Sequence, residues 1–138
     1  MNGNVLVVHG GGPTAVINSS LYGVIEEALG LDKVYAAMGG SQAILKEDFF
    51  DLLQVPEERL KLLLETPATA IGSSRYALEQ EDYDAMPAIF QKYNIKYVLL
   101  NGGNGTMDTC ICYDLSLQLM ELGIQDFMRN ALLSQHLT

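Results

Sequence analysis

Apolar and polar positions along this chain alternate between two periods. Val5-Leu6-Val7-Val8 is an unbroken apolar run between Asn4 and Gly10-Gly11-Gly12. Such a run predicts a strand buried on both faces, as in a parallel sheet. Past Pro13 the period becomes helical. Ile17, Leu21, Val24, Ile25 and Ala28 share one face, Asn18, Glu26 and Glu27 fall off it, and Gly30 supplies a stop. Val34-Tyr35-Ala36-Ala37-Met38 is a second strand, ended by Gly39-Gly40, which completes a strand–helix–strand unit.

Two weaker helical patterns follow, over Lys46–Leu53 and Pro56–Leu64. Pro56, Glu57 and Glu58 suit a helix start. Gly72-Ser73-Ser74-Arg75-Tyr76 is a turn of small residues that presents one arginine. Met86, Ile89, Phe90 and Tyr93 predict a further helix, with Pro87 in its first turn and Asp84 as its N-cap. Tyr97-Val98-Leu99-Leu100 is a third strand, closed by Asn101-Gly102-Gly103-Asn104-Gly105-Thr106. A helix carrying Ile111, Leu115, Leu119 and Leu122 follows it. Ile124–Phe127 has the character of a fourth strand, but Met128–Thr138 is polar and weakly helical. Strands alternating with helices predict a Rossmann-like α/β fold, a doubly wound and mostly parallel sheet. The expected organisation is one incomplete domain over residues 1–127 with a divergent tail over 128–138.

Composition narrows the partners. The 138 residues carry 17 acidic and 8 basic side chains, a formal net charge of −9. No basic stripe exists to follow a nucleic-acid backbone or an anionic membrane surface. An anionic ligand must therefore be held by backbone amides and a few local cations. Cys110 and Cys112 are too few for a disulfide framework and fit a reducing cytoplasm. Their spacing lacks the partner ligands of a zinc site, so buried thiols are the expectation. No apolar run approaches the ~18 residues of a membrane span.

The candidate chemistry lies in the two glycine corners, Gly10–Thr14 and Gly102–Thr106. Each follows a buried strand and precedes a helix. Glycine lets backbone N–H groups approach a ligand without Cβ interference, and the helix start adds partial positive charge. Two such corners at the carboxyl ends of parallel strands can converge on one phosphate group. Neither has the Gly-Lys-Ser/Thr of a Walker A loop. Gly10-x-Gly12-x-x-Ala15 does match a dinucleotide fingerprint, yet the second strand ends without the acidic residue that would hold a ribose. Arg75 is the cationic candidate, suited to bidentate phosphate contact or else a solvated loop residue. Asp108 reads as an acid stabilising its helix start or as a metal-linked carboxylate. His9 is either a ligand contact or a hydrogen-bonded structural histidine.

Three blocks in this order and spacing resemble the phosphofructokinase family: Gly10–Asn18, Gly72–Tyr76 and Asn101–Thr109. The resemblance extends from residue 4 to about 127, with wording most similar to the bacterial pyrophosphate-dependent branch. It implies phosphoryl transfer to the 1-hydroxyl of fructose 6-phosphate from ATP or pyrophosphate, with Mg²⁺, in a cytoplasmic homo-oligomer. By position it assigns Gly11 and Gly12 to the donor phosphates and Arg75 to neutralising the transferring group. The corner of Gly102, Gly103, Asn104, Gly105 and Thr106 becomes the donor and magnesium site, with Asn104 at the metal-linked position. These roles suit a reaction governed by positioning and charge stabilisation.

Two positions depart from the family pattern. Asn104 replaces the common aspartate, as in many pyrophosphate users. Gly105 stands where those enzymes carry a second aspartate, as in ATP users. The donor is thus left open between the two. Past Phe127 the loop that would supply the catalytic base is replaced by Met128-Arg129-Asn130. The expectation is a truncated or frame-shifted reading, inactive alone. The alternatives are a dinucleotide- or nucleotide-binding module and a non-catalytic remnant used for association.

Overall fold

The computed structural model describes residues 3–12, 15–28, 30–103 and 105–109. Strand β1 (Asn4–His9) leads through helix α1 (Ala15–Glu27) into β2 (Val34–Ala37). A short helix α2 (Gln42–Leu45), strand β3 (Phe49–Asp51) and helix α3 (Glu57–Leu60) follow, the last running into a 3₁₀ turn at Lys61–Leu64. Helix α4 (Gln80–Lys92) then feeds β4 (Ile95–Asn101). The sheet order is β3-β2-β1-β4, with β1 parallel to both neighbours and β3 antiparallel at the edge. This is the expected doubly wound, parallel-dominant α/β architecture.

Every residue of β1 is buried, as its unbroken apolar run requires. Its alternate side chains serve two cores. Val5 and Val7 pack with Leu21, Ile25 and Ala28 of the α1 layer. Leu6 and Val8 pack with Met86 and Phe90 of α4 on the opposite face. Burying both faces of one strand fixes its direction and register, and so fixes where its carboxyl end emerges.

The structure differs from the pattern reading in three places. Lys46–Leu53 forms no α-helix: α2 stops at Leu45, Glu47 adopts φ 54°, Phe49–Asp51 pairs antiparallel with β2, and Leu52–Gln54 is a single 3₁₀ turn. Aromatic contacts favour the edge strand, since the Phe49 ring meets Tyr93 edge-on at 4.9 Å and also contacts Tyr35. Helix α4 starts earlier than predicted. Asp82 accepts the Glu79 backbone N–H at 2.9 Å and caps it there, which leaves Pro87 inside the helix. Asn94, at φ 51°, ends the same helix. The third difference is Asn18, which is fully buried rather than off the packed face. The predicted helix over 111–122, the Ile124–Phe127 strand, both cysteines and the 128–138 tail lie outside the described residues.

Candidate functional site

Strand order puts the two glycine corners side by side. From β1 the chain moves to β2 on one side, while β4 arrives on the other, so the connections diverge between β1 and β4. Open parallel sheets bind ligands at that point, beyond the carboxyl ends of the strands. His9 is in register with Asn101, and the Gly10 N–H donates to the Asn101 carbonyl at 2.8 Å. Gly10–Gly12 and Gly102–Gly103 therefore leave the sheet together.

The corners touch so closely that side chains would not fit between them. A Cβ on Gly102 would lie 2.1 Å from Thr106 Oγ1 and 2.8 Å from the Gly10 carbonyl oxygen. A Cβ on Gly11, which sits at φ 73°, would approach the Gly103 nitrogen at 3.2 Å. Gly12, Gly103 and Gly105 differ, because a Cβ there would meet nothing within 4 Å among the described residues. Glycine at the first set serves packing of corner on corner, whereas at the second set it leaves open space. Gly11, Gly12, Gly102, Gly103 and Gly105 are all exposed. The chain turns helical over 105–109, with Thr106 N–H donating to the Gly103 carbonyl at 3.0 Å. Asp108 is exposed in that first turn. Asn104 lies outside the described residues.

A third segment crosses the same end of the sheet. Residues 66–75 form an irregular strap held at successive points. Asn18 donates from Nδ2 to the carbonyls of Thr66 (3.0 Å) and Ala68, and its Oδ1 accepts the Ala70 N–H at 2.8 Å. His9 Nδ1 shares a hydrogen bond with Thr69 Oγ1 at 2.7 Å. Gly39 N–H donates to the Ile71 carbonyl at 2.8 Å. Gly40, at φ 79°, leaves room for the strap, since a Cβ would lie 2.5 Å from Ser74 N. Ser73 Oγ finally donates to the Gly11 carbonyl at 3.3 Å, tying the strap to the first corner. Arg75 follows two residues later, exposed and without a hydrogen bond or ion pair among the described residues.

Burial holds the His9 pKa down at about 4, so the ring is neutral at physiological pH. It is fully enclosed, and its Nε2 meets no hydrogen-bond partner among the described residues. Its position favours the structural role over a ligand contact. Among the described residues no group of three or more His, Cys, Asp or Glu converges as a metal cage.

The arrangement can present backbone N–H groups, a helix start and one free guanidinium to an anion. Residues 4–125 fit the family model Phosphofructokinase. The chain belongs to the phosphofructokinase family. Curated relatives include the pyrophosphate–fructose 6-phosphate 1-phosphotransferase of Halomonas elongata, 38% identical over 117 residues, covering 78% of this chain and 28% of the relative. The protein of the same name from Rhodospirillum rubrum is 36% identical over 110 residues, covering 78% of this chain and 27% of its own length. Among solved structures, the pyrophosphate-dependent phosphofructokinase of Marinobacter aquaeolei superposes with a TM-score of 0.80 at 32% identity, over 88% of this chain and 31% of that one. The phosphofructokinase of Pichia pastoris shares the fold at 20% identity, with a TM-score of 0.70 over 84% of this chain and 12% of that one. The chain thus spans little more than a quarter of the length of the curated relatives it matches.

Within this phosphofructokinase segment, pattern reading located both corners and Arg75 but missed three supports of the strap. Asn18 was the most legible of them. Asparagine is unfavourable in a helix interior, so one flanked by buried positions signals a specific bond. Gly39-Gly40 reads in the sequence as a simple strand stop, and Thr69 carries no signal at all. Among the described residues no helix is long and apolar enough to cross a membrane.

Proposed function

We propose that this chain forms the donor-phosphate site of a cytoplasmic phosphofructokinase, with pyrophosphate as the donor and fructose 6-phosphate as the acceptor. The observation that carries this reading is the adjacency of the corners at the divergence of β1 and β4, with the Arg75 strap tied to Gly11.

The open positions Gly12 and Gly103 admit phosphate oxygens to backbone N–H groups. Gly11 and Gly102 hold the two corners in contact. Arg75 offers a planar fork to the transferring phosphoryl group, where charge builds as the bridging P–O bond breaks. The sugar 1-hydroxyl oxygen forms the new bond to phosphorus, orthophosphate leaves, and the hydroxyl proton passes to a base. On this proposal the base and the sugar site come from the rest of the enzyme; the relatives extend well beyond the length that this chain spans. On this reading the 138 residues bind the donor phosphates.

Magnesium characteristically sits on substrate phosphates and water with only one or two protein carboxylates. The exposed Asp108 fits that mode, with Asn104 at the metal-linked position of the resemblance. Bound there, the ion would neutralise donor charge. The complete enzyme is expected to be a homo-oligomer.

The relatives' names favour pyrophosphate. Gly105 favours a second reading in which ATP is also accepted, because no described residue occupies the space beside its Cα. Calorimetric titration of the chain with magnesium pyrophosphate and with magnesium ATP tests both. Saturable binding of pyrophosphate that is lost in Arg75→Ala supports the proposal, and absence of any heat of binding overturns it.

A further inference from the structure

Asn18 stands out among the buried polar groups. It lies in the first turn of α1, fully buried, yet all its described bonds go to the strap 48 to 52 residues away. A side-chain amide has the donor and acceptor geometry of a peptide group. Here it acts as a strand partner, donating to two strap carbonyls and accepting one strap N–H. Three bonds from one rigid, enclosed side chain fix the strap at every second residue, Thr66, Ala68 and Ala70. The His9–Thr69 bond fills in from the sheet side.

We infer that Asn18 is a positioning residue for Arg75. This inference rests on the donor-site reading above. The route is short and continuous. Asn18 holds Ala70; Ile71 is bonded to Gly39; Ser73 is bonded to Gly11; and Arg75 follows. An arginine with no partner of its own among the described residues has its backbone placed by these anchors. Without them, ordering the strap would be left to the ligand, and the loss would appear as weaker binding. Helix α1, which follows the first corner, thus also holds the strap that carries Arg75.

A double-mutant cycle on the 138-residue chain tests this, read by magnesium pyrophosphate affinity and by amide exchange. Asn18→Ala is expected to speed exchange at Ala70 by at least about tenfold, leave Val7 and Val98 within about twofold, and weaken pyrophosphate binding about tenfold. Combined with Arg75→Ala it should add little to the loss that Arg75→Ala causes alone, since the loosened strap already forfeits the guanidinium. Additive losses, or unchanged affinity despite a loosened strap, overturn the role of Asn18. Should Asn18→Ala not fold, Asn18→Asp carries the same cycle, with an oxygen replacing the amine that faces Thr66 and Ala68. Failure of the unsubstituted chain to bind pyrophosphate is a different result, and it overturns the donor-site reading together with this one.

Discussion

Gly10 donates its backbone N–H to the carbonyl of Asn101 across 2.8 Å, at the last rung of the β1–β4 ladder. That single bond sets the relation between two loops far apart in the chain. It continues the parallel ladder one residue past His9, so the corners start from a common level instead of diverging with the sheet twist.

Substitution of the corner glycines should separate packing from ligand contact. Gly102→Ala forces a methyl against Thr106 Oγ1 and the Gly10 carbonyl, and is expected to cost about 1–3 kcal/mol of stability. Gly103→Ala meets nothing within 4 Å among the described residues and should leave the urea midpoint unchanged while weakening pyrophosphate binding. Equal stability losses in the two variants would contradict the contact geometry.

Arg75→Ala should behave in the opposite way to Gly102→Ala. Arg75 is exposed and unpaired among the described residues, so its removal leaves thermal stability within about 0.5 kcal/mol. Loss of one charge-assisted contact to phosphate, worth about 1.5–3 kcal/mol, predicts roughly 10- to 150-fold weaker pyrophosphate binding. Arg75→Lys keeps the charge without the fork and should recover only part of it. Calorimetry on the three proteins checks the order.

His9 gives a pH dependence with a definite sign. Its folded pKa, about 4, lies below the ordinary histidine value of 6.5, so the unfolded chain binds the proton more tightly. The histidine contribution is fully present above about pH 6.5 and is lost as pH falls from there towards 4. The shift sets an upper bound of about 3 kcal/mol on that loss. Urea unfolding of the natural chain and of His9→Gln across this window should show the difference between them narrowing as pH falls. A constant difference would refute the assignment.

Gly105→Asp addresses donor choice. The empty space beside Gly105 admits the new side chain without displacing described neighbours. A carboxylate there repels and crowds a nucleotide-bearing phosphate more than it does pyrophosphate. The expected result is a selective loss of ATP binding, and an unaltered ratio of the two affinities counts against the second reading.

How much of this was legible in the chain varies with the range of the interaction. The all-apolar run Val5–Val8 announces a strand buried on both faces, and the glycines after it announce a corner, because both signals are local. The Lys46–Leu53 stretch misleads for the same reason. Its apolar spacing suits a helix, and no glycine or proline marks the break at Glu47. Only pairing with β2 and the Tyr35–Phe49–Tyr93 cluster make Phe49–Asp51 a strand. Pro87 likewise argues for a helix start nearby, but the Asp82 cap on Glu79 moves that start back to Gln80.

By itself, the sequence determined the alternation of strands and helices, both glycine corners, and the family to which they belong. These follow from side-chain period and from backbone freedom at glycine, properties each segment carries alone. Tertiary structure decided which corners meet, because adjacency depends on strand order, and β4 joins β1 rather than β2 or β3. It also decided the role of Asn18. A polar side chain within a helix has no preference for any partner until folding encloses it. Once buried, it must satisfy its amide, and the carbonyls of the strap are what the fold brings within reach.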